Sequence, residues 1–170
     1  MRKFIVAAVV AALLCGCSNA PSATPQDVAK AFEKDFSAKA TAVFGENETE
    51  MSIAKNGTSI SFFIDSPKEL AGMELELFDE HAVVRYEGME QKINTDSLPK
   101  GAPFLLLEEL FDSLADGENF TLSTDGETLN AAGEDFFATL SAEDFSLISA
   151  EFPLFETKFT FSDFEFLPAE

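Results

Sequence analysis

From residue 37 to residue 166, residues 103–115 apart, the chain alternates apolar and polar side chains with a period of two, interrupted about every 8 to 12 residues by turn formers. Ala38, Ala40, Ala42 and Phe44 alternate first, a turn follows at 45–48, and Met51 and Ile53 continue. Asn56-Gly57 marks a hairpin, because such turns need positive φ, and Ile60, Phe62 and Ile64 return from it until Pro67. A single helical turn is expected at 68–72. Met73, Leu75 and Leu77 pair with Ala82, Val84 and Tyr86 as a second hairpin, with a short strand at 91–94 beyond Gly88. Phe120 and Leu122 lead through Asp125-Gly126 to Leu129 and Ala131, with further strands at 136–140, 145–149 and 156–166. In the last strand the step from Phe161 to Phe164 breaks the period and predicts a bulge at Ser162-Asp163.

Two segments follow a helical period instead. Thr24-Pro25-Gln26-Asp27 supplies an N-cap, a first-turn proline and an acid at the third position, and Val28, Phe32 and Phe36 recur every four residues. This predicts a helix from 25 to about 36. Residues 103–115 place Phe104, Leu106, Leu107, Leu110, Phe111 and Leu114 on one stripe and Glu108, Glu109, Asp112 and Asp116 opposite, with Gly117 as the stop. Leu105 falls among the acids and is either exposed or a contact to another element. Strands without a βαβ rhythm predict an α+β, mainly β fold: a curved antiparallel sheet, an incomplete barrel of about ten strands, with two helices packed on its concave side.

The N-terminus is of another kind. Met1-Arg2-Lys3 is followed by an apolar run from Phe4 to Leu14, the order of an export signal and shorter than a bilayer span. Leu14-Cys15-Gly16-Cys17 resembles the bacterial lipobox. That resemblance implies diacylglyceryl transfer to the Cys17 sulfur and cleavage between Gly16 and Cys17. The domains are therefore expected as signal peptide 1–16, lipidated tether 17–24 and a single β domain 25–170. The processed chain would be exported and held on the outer face of the cell membrane by the acyl anchor on Cys17.

Charge and composition exclude several function classes. The full chain carries −20; without Arg2 and Lys3, 9 basic residues face 31 acidic ones, giving −22. Nucleic acid is not an expected partner, and anionic lipid would repel the body as a whole. Both cysteines lie in or beside the leader, so no disulfide can form within the domain. His81 is the sole histidine and neighbours an expected turn, which excludes a His-based triad or multi-His metal site within one chain. Glu108 and Asp112 share a solvated helix face rather than a cleft that would raise one pKa. The 112–119 segment offers oxygens without the spacing of an EF-hand loop. No catalytic residue, metal or cofactor is expected.

The element order, with Ser66-Pro67-Lys68-Glu69-Leu70 and Phe161-Ser162-Asp163-Phe164-Glu165-Phe166, resembles the LolA/LolB/LppX-like lipoprotein carrier fold over residues 25–166. The resemblance implies an incomplete barrel around a hydrophobic cavity, with helices as lid or plug. That family's lid-control arginine is not carried onto Arg85, the one arginine left after processing, which reads as strand-borne. The chain holds 19 Phe, one Tyr and no Trp, a composition suited to a core or an apolar pocket. The candidate pocket residues are Phe62, Leu75, Leu77, Val84, Leu107, Phe111, Phe136, Phe159 and Phe161. Two readings follow: a non-enzymatic binding module for a lipid-like or other hydrophobic ligand, lidded by 103–115, or an envelope interaction protein whose core is solid.

Overall fold

The computed structural model describes residues 23–78 and 81–168. The lipobox, Cys17 and most of the expected tether lie outside the described residues, as do Asp79 and Glu80, where the expected second hairpin would turn. Helix α1 (Pro25–Phe32) opens on the expected capping box: Asp27 N donates to Thr24 Oγ1 at 3.3 Å, while Thr24 N and Oγ1 donate to Asp27 Oδ2 at 3.0 and 2.7 Å. These bonds satisfy N–H groups that have no partner inside the helix. The helix ends four residues earlier than expected. Phe36 lies one turn past Phe32 but also two residues before Ala38, and strand pairing claims it.

Strands β1 (Phe36–Phe44), β2 (Asn47–Asn56), β3 (Ser59–Ser66), β4 (Glu74–Phe78), β5 (His81–Tyr86) and β6 (Met89–Asn94) form one antiparallel meander. After a 3-10 turn at Thr95–Ser97 and helix α2 (Pro103–Asp116), strands β7 (Thr121–Asp125), β8 (Thr128–Ala132), β9 (Phe137–Ser141), β10 (Leu147–Phe152) and β11 (Thr157–Phe166) form a second. Pairing of β1 with β11 joins them into one open sheet of eleven strands, ordered β6-β5-β4-β3-β2-β1-β11-β10-β9-β8-β7. The expected mainly β, unclosed antiparallel architecture with two helices is what the described residues adopt.

Two hairpin turns sit one residue beyond their expected place. Asn56 pairs with Ser59, so the loop is Gly57-Thr58, and Asp125 pairs with Thr128, so the second is Gly126-Glu127. In each loop the residue with positive φ is the leading glycine, at 59° and 62°. The strand expected from 145 begins at Leu147, because Phe145 (φ 63°) belongs to a turn stitched by Asp144 and Ser146. The bulge is where the period break puts it: Ser37 pairs with Glu165 and Lys39 with Ser162, leaving Asp163 and Phe164 opposite Ala38.

Because β6 and β7 are the two edges of the sheet, the connection carrying α2 must travel from one edge to the other. It crosses the inward face. Phe111 of α2 meets Phe36 of β1 at 4.9 Å between ring centroids, and Phe104 meets Phe62 of β3 at 6.4 Å. Helices of 14 and 8 residues are roughly 21 and 12 Å long, whereas eleven flat strands would span roughly 50 Å. Yet inward side chains are buried from Ala82 on β5 to Leu129 on β8. The sheet therefore curls around the helices, as its natural twist allows.

Candidate functional site

On the strands, Phe62, Leu75, Leu77, Phe159 and Phe161 stand on the inward face, and Phe136 joins them from the residue before β9. Leu107 and Phe111 reach the same core from α2. All eight are buried, while Val84 on β5, one strand from the edge, is half-buried and packs against that core.

What fills the concavity follows from side-chain size. Ala38, Ala40 and Ala42 on β1, with Ala138 on β9 and Ala150 on β10, form a low floor at the middle of the sheet. Large residues of α2 occupy the same core: Leu106, Leu107, Leu110, Phe111 and Leu114 are each no more than 2 % exposed. Small residues facing large ones is the complementarity of a close-packed interior. At one end Phe32, Phe36, Phe111, Phe164 and Phe166 form a ring cluster with centroid separations of 4.9 to 6.5 Å, several in edge-to-face contact. The period break at the bulge is what returns Phe164 to this inward group.

The clefts described lie at the surface, and none is lined by the nine candidate residues. One of about 590 Å³ runs along the outward side of α2, where Leu105 and Phe155 lie among Glu108, Glu109, Asp112 and Asp116. Leu105 is half-buried, packing against the core while it borders this cleft. A second, of about 580 Å³, lies beside α1 and includes Lys30, Lys34, Phe145 and Phe166. Its two acids are engaged locally. Hydrogen bonds from the Thr24 side chain and then its backbone hold the Asp27 carboxyl below the usual carboxylate range. The Ser146 side chain and then its backbone do the same for Asp144. The spacing of Lys30 and Lys34 is visible in the sequence, but the cleft is not, since Phe145 and Phe166 arrive from the far end of the chain.

His81 opens β5 and stacks on Phe78 at 4.8 Å. Arg85 is on the opposite side of the sheet from α2, where Nε donates to Glu90 at 2.8 Å and Nη1 to Glu76 at 3.1 Å and Glu74 at 3.3 Å. This places it away from the helix that would serve as a lid. Among the described residues no cluster of histidine or carboxylate side chains is arranged to hold a metal ion.

No protein-family model matches the sequence, and no curated protein does. Solved structures share the fold. An uncharacterized conserved protein from Thermus thermophilus superposes with a TM-score of 0.56 at 9 % identity, over 86 % of this chain and 87 % of that one. A chain in the complex of the CwlD amidase from Clostridioides difficile with the GerS lipoprotein gives 0.51 at 15 % identity, over 85 % and 97 %. A LolA superfamily protein, NE2245 from Nitrosomonas europaea, is a looser match at 0.42 and 10 % identity, over 88 % and 96 %. At these identities the likeness is one of fold.

Proposed function

We propose that this chain is a membrane-tethered, extracytoplasmic, non-enzymatic module that works with its concave side closed by its own helix and meets a partner protein through its outer surface. The observation that carries this reading is the burial of Leu106, Leu107, Leu110, Phe111 and Leu114 in the core shared with the inward alanines. An apolar ligand would have to displace all five. The occurrence of a similar fold in the structure of an amidase with a lipoprotein supports use of such a scaffold in protein assembly. Anchoring rests on the lipobox-like Leu14-Cys15-Gly16-Cys17.

A second reading has its own observation. Eight of the nine candidate pocket side chains are buried in a single core with α2, and α2 is joined to the sheet edges only through 95–102 and 117–120. Outward movement of α2 would uncover a continuous apolar trough for an acyl chain. Native mass spectrometry of the detergent-free processed chain separates the two. A ligand-free mass and no uptake of an apolar dye support the closed module, whereas a co-purifying lipid overturns it in favour of a carrier. Anchoring is tested by an inhibitor of lipoprotein signal peptidase in the producing cells: accumulation of uncleaved precursor supports it, and normal processing refutes it.

A further inference from the structure

We propose that the α1 end of the domain rests on the membrane, with Lys30 and Lys34 against phospholipid phosphates and the apolar cleft beside them receiving the upper part of an acyl chain. Lys30, in the last turn of α1, and Lys34, in the bend that follows the helix, are both exposed. Neither forms an ion pair among the described residues, unlike Lys39, Arg85 and Lys158. Both border the cleft of about 580 Å³ whose apolar wall includes Ala31, Phe145 and Phe166. A cationic rim beside an apolar hollow matches an anionic amphiphile: phosphate outside, hydrocarbon within.

Charge over the rest of the molecule selects the same end. The cleft's two lysines balance Asp27 and Asp144, whose oxygens already accept bonds from Thr24 and Ser146. With Glu33 and Asp35 on either side of Lys34, and Lys55 donating to the Glu33 and Lys34 carbonyls, this end holds four acids and three lysines, whereas the rest of the processed chain keeps 27 acidic and 6 basic side chains, so other orientations bring more negative charge toward an anionic bilayer. Position selects it too. Pro25 is eight residues from Cys17, a reach of at most about 28 Å, so a lipid on Cys17 keeps α1 within range of the headgroups. The assignment rests on Cys17 being the anchor point, and the experiment supplies that anchor chemically so that the two can fail separately.

Residues 17–170 are coupled at Cys17, their one cysteine, to a maleimide phospholipid in vesicles. Phe145→Trp provides the sole tryptophan of the chain, with Phe166→Trp as a second reporter should the Phe145 turn be disturbed. Bromine-labelled acyl chains should quench either reporter in phosphatidylglycerol vesicles much more than in phosphatidylcholine vesicles. Lys30→Glu with Lys34→Glu should lower the docked-to-undocked ratio at least about tenfold, and added salt should lower it as well. Equal quenching with and without the lysines, or none from either reporter while circular dichroism remains native, would overturn the assignment. Processing of Cys17 in cells is read independently by precursor cleavage.

Discussion

Lys39 Nζ lies 3.0 Å from Asp163 Oδ2, opposite the point where β11 carries one residue more than β1. Asp163 is the bulged residue, at φ 51°. The extra residue turns Ser162 and Asp163 outward together and returns Phe164 to the interior, where its ring stacks on Phe36 at 4.9 Å. Thus one backbone irregularity connects a surface ion pair to the ring cluster that seats α1.

The backbone conformation, not the ion pair, should carry the stability of this junction. The two side chains are 63 % and 70 % exposed, and such pairs contribute little in water. A β-branched residue at positive φ is strained by about 1–3 kcal/mol. Asp163→Val should therefore lower the unfolding free energy by that amount, read as a lower urea midpoint at an unchanged slope, while Lys39→Gln and Asp163→Gly change the midpoint little. A loss from Lys39→Gln as large as from Asp163→Val would show that the pair holds the bulge.

Legibility in the sequence follows the range of the interactions. The bulge is visible because a period of two tolerates no step of three, and the α2 stripe because five of its large side chains share one buried side. Phe36 is ambiguous: it satisfies both the helical spacing from Phe32 and the strand spacing to Ala38, and only its partners Lys55 and Phe166 settle the matter. The hairpin glycines signal turns but not whether they stand first or second in the loop. Pairing of β1 with β11 joins residues more than a hundred positions apart and leaves no local trace. The candidate pocket residues are recognisable as one inward set and the 103–115 stripe as its cover, but whether that helix roofs a cavity or fills the concavity depends on how its side chains meet those of the distant strands, a property of tertiary packing.

Phe111 is the side chain through which α2 meets α1 and β1 together, with ring contacts to Phe32 at 6.5 Å and Phe36 at 4.9 Å. Phe111→Ala should cost about 3–5 kcal/mol, since the fully enclosed site cannot collapse around the loss. It should also admit an apolar dye that the native chain excludes. Denaturant melts with dye fluorescence read both effects, and an unchanged midpoint would mean that α2 does not pack as described. Leu107→Asp should be more damaging still, because it buries a charge without a partner.

On the outer side of the sheet, Arg85 separates three carboxylates that strand pairing brings together. Glu74 sits directly opposite on β4 and Glu90 on β6, and Glu76 is two residues along. Their hydrogen bonds, Glu90 first and then Glu76, raise the guanidinium pKa further above its ordinary value. Arg85→Gln should leave Glu74, Glu76 and Glu90 around one point with no cation between them and destabilise the β4–β6 arm. The loss should be larger in dilute buffer than in high salt, because screening relieves exposed repulsion. Melting temperatures of both chains across a salt series provide the check, and a difference insensitive to salt would point to lost packing instead.

Acid should undo the start of α1 and the turn beside it. Asp27 and Asp144 both have folded-state pKa values depressed below the ordinary carboxylate value, chiefly by side-chain bonds from Thr24 and Ser146 respectively. In this case the folded state binds fewer protons than the unfolded one. The stabilisation is therefore complete above the unfolded value of about 3.9 and is lost as pH falls through the lower folded values. Thr24→Ala and Ser146→Ala should each be less stable than the native chain at neutral pH, with the gap narrowing as acid protonates the two carboxylates. Raising the pH from 7 to 9 should leave both gaps unchanged, because neither carboxyl titrates there. Denaturation midpoints measured between pH 2 and 9 would show this. A gap that widens in acid would mean that the hydroxyls stabilise the neutral carboxyl rather than the charged one, contrary to the geometry in which both Thr24 and Ser146 donate to an acceptor carboxylate.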